Sequence, residues 1–112
     1  AVHVRFEELY SDAQLKIEMI AERVFTIGGR PLHTFDDYIK NNKLKVGKNI
    51  SVDEEAVHLI VTSLSDLLKI ERDLLAKSAD ANDEGTNSMM SDFIKEQEKT
   101  IWMMKAWLEE KI

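Results

Sequence analysis

The sequence predicts an all-α protein built from three long helices, with a short helix inside one long connection. Three observations predict it. Apolar residues recur at helical spacing through three long segments. No stretch alternates in the manner of a strand, Val46 to Val52 being short and interrupted. The single Pro and the four Gly stand at or near segment ends.

The first segment places Phe6, Tyr10, Ala13, Ile17, Ile20 and Val24 at alternating steps of four and three, the seam of a helix packed in a bundle. Read as helix over residues 2–27, it is about 39 Å long, a length typical of bundles. Gly28-Gly29 and Pro31 stop it. The second helix is expected at Ser51, whose hydroxyl suits an N-cap with Asp53 and Glu54 in the first turn. Its stripe runs Val57, Ile60 or Val61, Leu64, Leu67 or Leu68, then Leu74 or Leu75, and fades in the polar stretch 78–85. Thr86 or Asn87 is expected to cap the third helix, whose seam runs Met90, Phe93 or Ile94, Gln97, Ile101, Met104 and Leu108.

The connection over 28–50 is too long for a tight turn between neighbouring antiparallel helices. Within it Thr34 can cap a short helix that puts Phe35, Tyr38 and Ile39 on one face. A bundle with one long crossover is the ferritin-like arrangement, in which two helices precede the crossover and two follow it. Here only one precedes it, and the chain reads as a single domain over 1–112 whose first helix has been left off.

Composition excludes several classes of function. With 112 residues, 32% charged and 44% hydrophobic, the chain can bury a modest core and is not disordered. The absence of cysteine removes disulfides, thiolate zinc sites and a Cys nucleophile, and fits a reducing cytoplasm. No apolar run approaches a membrane span, and nothing resembles a signal peptide. A net charge of −6 argues against a phosphate-backbone contact surface, so DNA is not expected as a partner of this chain.

The first helix carries a chemical pattern. His3, Glu7, Glu18 and Glu22 form two pairs at spacing four and fall within about 100° on a helical wheel, beside the apolar seam. Glu7 and Glu18 lie about 16 Å apart along the axis, too far for one metal to bridge. Each pair is at best half a site. Two copies packed antiparallel about a twofold axis would bring residue 5 opposite residue 20 of the partner, making two sites of one His and three carboxylates. That donor set suits Fe(II) or Mn(II) better than structural zinc. The plainer alternative is a solvated face paired with Arg5, Lys16 and Arg23.

These residues also carry a family resemblance. The segment from His3 through Phe6-Glu7 to Tyr10, then Glu18 through Ala21-Glu22-Arg23, then the Gly28-Gly29-Arg30-Pro31-Leu32 turn, resembles the second helix of the Dps family, the mini-ferritins. Residues 34–39 resemble its crossover helix and residues 98–108 its last helix. The resemblance covers nearly the whole chain. It implies a ferroxidase that oxidises Fe(II) with hydrogen peroxide, stores ferric iron (Fe2+/Fe3+) and protects the cell from oxidative stress, in a dodecamer built from twofold dimers. His3 and Glu7 would be ligands from one subunit, and Glu18 and Glu22 from its partner. Asp80 and Glu84 match acidic positions that line pores for iron entry, with Ser88 where the family has a third acid. Glu18 stands where the family usually has Asp, and the family's first helix, with a further His ligand and a Trp, has no counterpart. The alternative function is a DNA-compacting or structural assembly member with a degenerate iron site; a blander one is a helical interaction module.

Other candidates are weaker. Glu55 and His58 match a di-iron E-x-x-H motif once, at a helix start where solvation explains them. His33 reads as a loop side chain. Trp102, Trp107, Met103 and Met104 read as packing residues.

Overall fold

The computed structural model describes residues 2–110. It contains α1 (Val2–Thr26), α2 (Phe35–Asn41), α3 (Asp53–Asp80) and α4 (Glu84–Glu110). The expected three long helices and the short helix within the long connection are all present. The chain divides into two compact units, Ala1–Lys43 and Leu44–Ile112. No helix among the described residues is long and apolar enough to cross a membrane.

In the first unit, α1 ends through its glycines. Gly29 N–H donates to Val24 O (2.8 Å) and Gly28 N–H to Phe25 O (3.0 Å), the paired bonds of a Schellman motif. Gly28 takes φ +94°, a conformation that a Cβ would oppose. Thr34 caps α2 as expected, its hydroxyl accepting from Asp37 N–H (3.1 Å), and Tyr38 Oη donates to Leu32 O (2.9 Å). The face of Phe35, Tyr38 and Ile39 is exposed.

The apolar seam expected on α1 is largely uncovered. Tyr10, Ile17 and Ile20 are 68%, 60% and 43% exposed, while Lys16 is buried. Periodicity identifies an apolar face but not what packs on it, which is why the seam reads as core in sequence while these residues stand exposed.

The second unit pairs α3 with α4. Val57 and Leu68 of α3 and Met90, Phe93 and Met104 of α4 are buried and form its core. Two sequence expectations need correction. First, α3 begins at Asp53 behind Val52, which occupies the cap position with φ −117° and ψ 146° and no side-chain bond. The expected Ser51 cap does not form, and Asp53, Glu54 and Glu55 complement the helix dipole in the first turn. As expected, α3 ends within the polar stretch 78–85, at Asp80. Asn82, at φ 58°, closes it: its N–H donates to Ala79 O (3.1 Å) and Asp83 N–H to Ser78 O (2.8 Å).

Second, Asp83, not Thr86 or Asn87, caps α4. Its carboxylate accepts from Thr86 N–H (3.2 Å) and Thr86 Oγ1 (2.6 Å), and its carbonyl accepts the first helical bond, from Asn87 N–H (3.0 Å). Asn87 instead ties the two helices, its Nδ2 donating to Leu75 O (2.9 Å). Further along, Arg72 on α3 meets Glu98 on α4 at 3.0 Å. Two polar residues, Glu71 and Ser78, are buried within the α3 stripe that was expected to be apolar, and Gln97 is buried within that of α4.

Candidate metal centre

The four candidate ligands of α1 are all exposed side chains. Helical geometry puts His3 and Glu7 one turn apart at one end of the stripe, and Glu18 and Glu22 one turn apart at the other. Buried Lys16 sits on the opposite side of the wheel from the middle of this stripe.

Two of the cations that could neutralise the stripe pair with other acids. Arg5 pairs with Glu8 (3.3 Å) and Lys16 with Asp12 (2.6 Å). Among the described residues the carboxylates of Glu7, Glu18 and Glu22 make no ion pair. Three uncompensated carboxylates and one imidazole on a single face are hard donors suited to Fe(II) or Mn(II). The His3 ring meets the Phe6 ring edge-on, with centroids 6.5 Å apart and planes at 87°, which limits its rotation.

His3 and Glu7 open into a depression of ≈ 460 Å³ that Phe6, Tyr10 and Ser11 also line. Sequence reading assigned Tyr10 to the apolar seam and passed over Ser11. The spacing of seven from His3 to Tyr10 was the available signal, since it returns to nearly the same face after two turns.

Among the described residues, no three His, Asp or Glu side chains of one chain gather to hold a metal ion. The two ligand pairs are therefore not brought together within a subunit. Asp80, Glu84 and Ser88 are exposed around the α3–α4 turn, Asp80 as the last residue of one helix and Glu84 as the first of the next. Glu55 and His58 are exposed in the opening turns of α3, and His33 is exposed before α2. Met104 is a packing residue as expected, whereas Trp102 is 66% exposed. Its position on α4 turns it away from the α3 contact, a distinction that residue type alone does not carry.

Comparison with known proteins places these features in context. A model of the ferritin-like domain matches residues 1–112. A protein of Haemophilus influenzae is 40% identical over 106 residues, which make up 95% of this chain and 66% of that protein. The DNA protection during starvation protein of Brevibacillus brevis is 35% identical over 111 residues, covering 96% of this chain and 72% of its own length. The crystal structure of the Dps protein from Vibrio cholerae O1, described as a member of a superfamily of ferritin-like diiron-carboxylate proteins, superposes with a TM-score of 0.92. It is 42% identical, and the match covers 95% of this chain and 67% of that one. The all-α architecture is thus that of ferritin-like Dps structures.

Proposed function

The chain belongs to the Dps family of ferritin-like proteins, and from that premise we propose that it oxidises Fe(II) with hydrogen peroxide at sites shared by twofold-related subunits. The ferric product is stored inside a closed shell of such dimers, a dodecamer, in the cytoplasm. Iron is the substrate and the cargo. Adjacent Fe(II) ions held by hard carboxylates can together deliver two electrons to one peroxide, so that hydroxyl radical is not released.

The observation that carries the reading is the mirror spacing on α1. One antiparallel alignment, symmetric about the peptide between residues 12 and 13, sets His3 opposite the partner's Glu22 and Glu7 opposite the partner's Glu18. Both half-sites are completed by the same operation, as a closed twofold interface requires. The uncovered apolar seam beside the ligand stripe supports it, because the surface next to the ligands is suited to burial against a second copy. Asp80 and Glu84, exposed at the α3–α4 turn, are proposed to line the route by which Fe(II) enters. Glu18 is proposed to coordinate like the shorter Asp of relatives, with the iron displaced by one methylene.

A complementation experiment tests this. Subunits carrying Glu22→Ala lack one half-site, and subunits carrying His3→Ala lack the other. Each variant alone should lose peroxide-dependent Fe(II) oxidation by more than about 100-fold, above the cost of disturbing residues that merely orient ligands. After co-refolding, each mixed dimer holds one intact site and one doubly damaged site. Random pairing therefore restores roughly a quarter of the parental sites. Failure to restore activity in mixtures shown to contain both subunits would refute the shared site.

A further inference from the structure

Resting on the iron-oxidising reading, we propose that the Tyr10 hydroxyl is a further catalytic group of the site. It donates a proton to the departing oxygen of hydrogen peroxide, and Gln14 acts as its positioning residue. Tyr10 is 68% exposed, so packing within the subunit does not account for it. It lines the same depression as His3 and Glu7. Side chains on a helix lean toward its N-terminus, so the Tyr10 ring covers the turn that bears Phe6 and Glu7. That carries the phenol toward the level of the half-site.

The hydrogen bonding of the phenol fits donation. Gln14 Nε2 donates to Tyr10 Oη at 3.2 Å. This uses an acceptor lone pair and leaves the phenolic O–H to donate elsewhere. The amide one turn C-terminal also fixes the ring's direction.

The reaction has a need for such a donor. Reduction of one hydrogen peroxide breaks the O–O bond, takes one electron from each of two Fe(II) ions and consumes two protons, giving two Fe(III) and two waters. Three of the four proposed ligands are carboxylates, which when ionised accept hydrogen bonds and donate none. Tyr10 and Ser11 supply the hydroxyls in the depression, and of the two the phenol is the longer and the one held by a neighbour. Tyr10 gives its proton as the O–O bond breaks and regains one from water.

The test uses the assembled protein and Tyr10→Phe, which keeps the ring and removes only the hydroxyl. Peroxide-dependent Fe(II) oxidation should fall about 100-fold, the lower end of what a positioned acid contributes. Fe(II) affinity, titrated without oxidant, should stay within about twofold of the parent. Oxidation by ferricyanide, which takes an electron without needing a proton, should be unchanged. Gln14→Leu should give a smaller loss with peroxide, and none in the Tyr10→Phe background. Ser11→Ala should match the parent. A Tyr10→Phe variant equal to the parent with peroxide would overturn the proposal, as would one that loses Fe(II) affinity and ferricyanide oxidation to the same extent. A parent protein with no Fe(II) oxidation at all would instead overturn the iron-oxidising reading, and this proposal with it.

Discussion

Replacing Asp83 by Ala removes the residue that closes α3 and opens α4 within the same turn. Its backbone N–H, bonded to Ser78 O at 2.8 Å, survives the substitution. Its carboxylate does not, and two acceptor contacts to Thr86, at 3.2 and 2.6 Å, are lost. Loss of an N-cap side chain costs about 1 kcal/mol, and loss of a negative charge at a helix N-terminus about 0.3–1 kcal/mol more. The total is about 1.5–2 kcal/mol, which lowers the unfolding midpoint of a domain near this size by about 10 °C. Asp83→Asn keeps an acceptor oxygen for Thr86 N–H and exchanges the charged second acceptor for an amide N–H that can donate to Thr86 Oγ1, so it should cost about 0.5 kcal/mol. Circular dichroism followed through thermal and urea unfolding measures both, at one fixed protein concentration because subunit association also moves the midpoint. An Ala variant that melts within about 2 °C of the parent would refute this account of the turn. So would an Asn variant as unstable as the Ala variant.

Other substitutions separate core from surface and ligand from scaffold. Phe93→Ala, at a residue 2% exposed between α3 and α4, should destabilise by about 3–5 kcal/mol in urea unfolding, while Trp102→Ala, 66% exposed, should stay within about 0.5 kcal/mol. Gly28→Ala, at φ +94°, should cost about 1–2 kcal/mol by the same measurement. Arg72→Ala breaks the exposed pair with Glu98 and should cost less than about 1 kcal/mol, falling further in high salt. Glu18→Asp should retain Fe(II) oxidation within about tenfold, whereas Glu18→Ala should lose it, which a stopped-flow comparison with peroxide decides.

Helix number and approximate bounds were legible because long helices print their period on the sequence. What was misread is local competition between caps. Ser51 and Thr86 are good cap residues, yet Val52 and Asp83 hold those positions. The Asn82 turn ends α3 and places Asp83 at the start of α4, which depends on backbone geometry that one residue type does not reveal. The α1 seam is apolar as expected, but Tyr10 and Ile17 stand exposed, because periodicity marks an apolar face without naming what packs on it. Gln97 is expected in the α4 seam and is buried there, whereas buried Lys16 and Glu71 are not expected in theirs, since a polar residue beside or inside a seam breaks the apolar pattern. The candidate ligands were legible as a stripe, and their mutual distance along α1 was legible too. That distance is too long for one metal to bridge.

The shared-site reading carries one further geometrical consequence. Symmetry about the peptide between residues 12 and 13 puts Ala13 beside the twofold axis, in the middle of the seam of Phe6, Tyr10, Ile17, Ile20 and Val24. Its small side chain permits close approach of the two helices there. The chain contains no cysteine, so Ala13→Cys introduces a single thiol per subunit, at a position exposed in the isolated chain. A disulfide needs Cα atoms about 4.4–6.8 Å apart, which only residues next to the axis can reach across a helix pair. Oxidation of the assembled Ala13→Cys protein should therefore yield a covalent dimer on a non-reducing gel, and a short bismaleimide should yield the same dimer if the thiols fall just outside bonding range. Glu8→Cys is the control, because Glu8 lies about 140° around the helix from Ala13. An Ala13→Cys protein that assembles but resists both reagents would place the axis elsewhere on α1. The ligand pairs would then fail to meet, and the iron site would lose its geometrical basis.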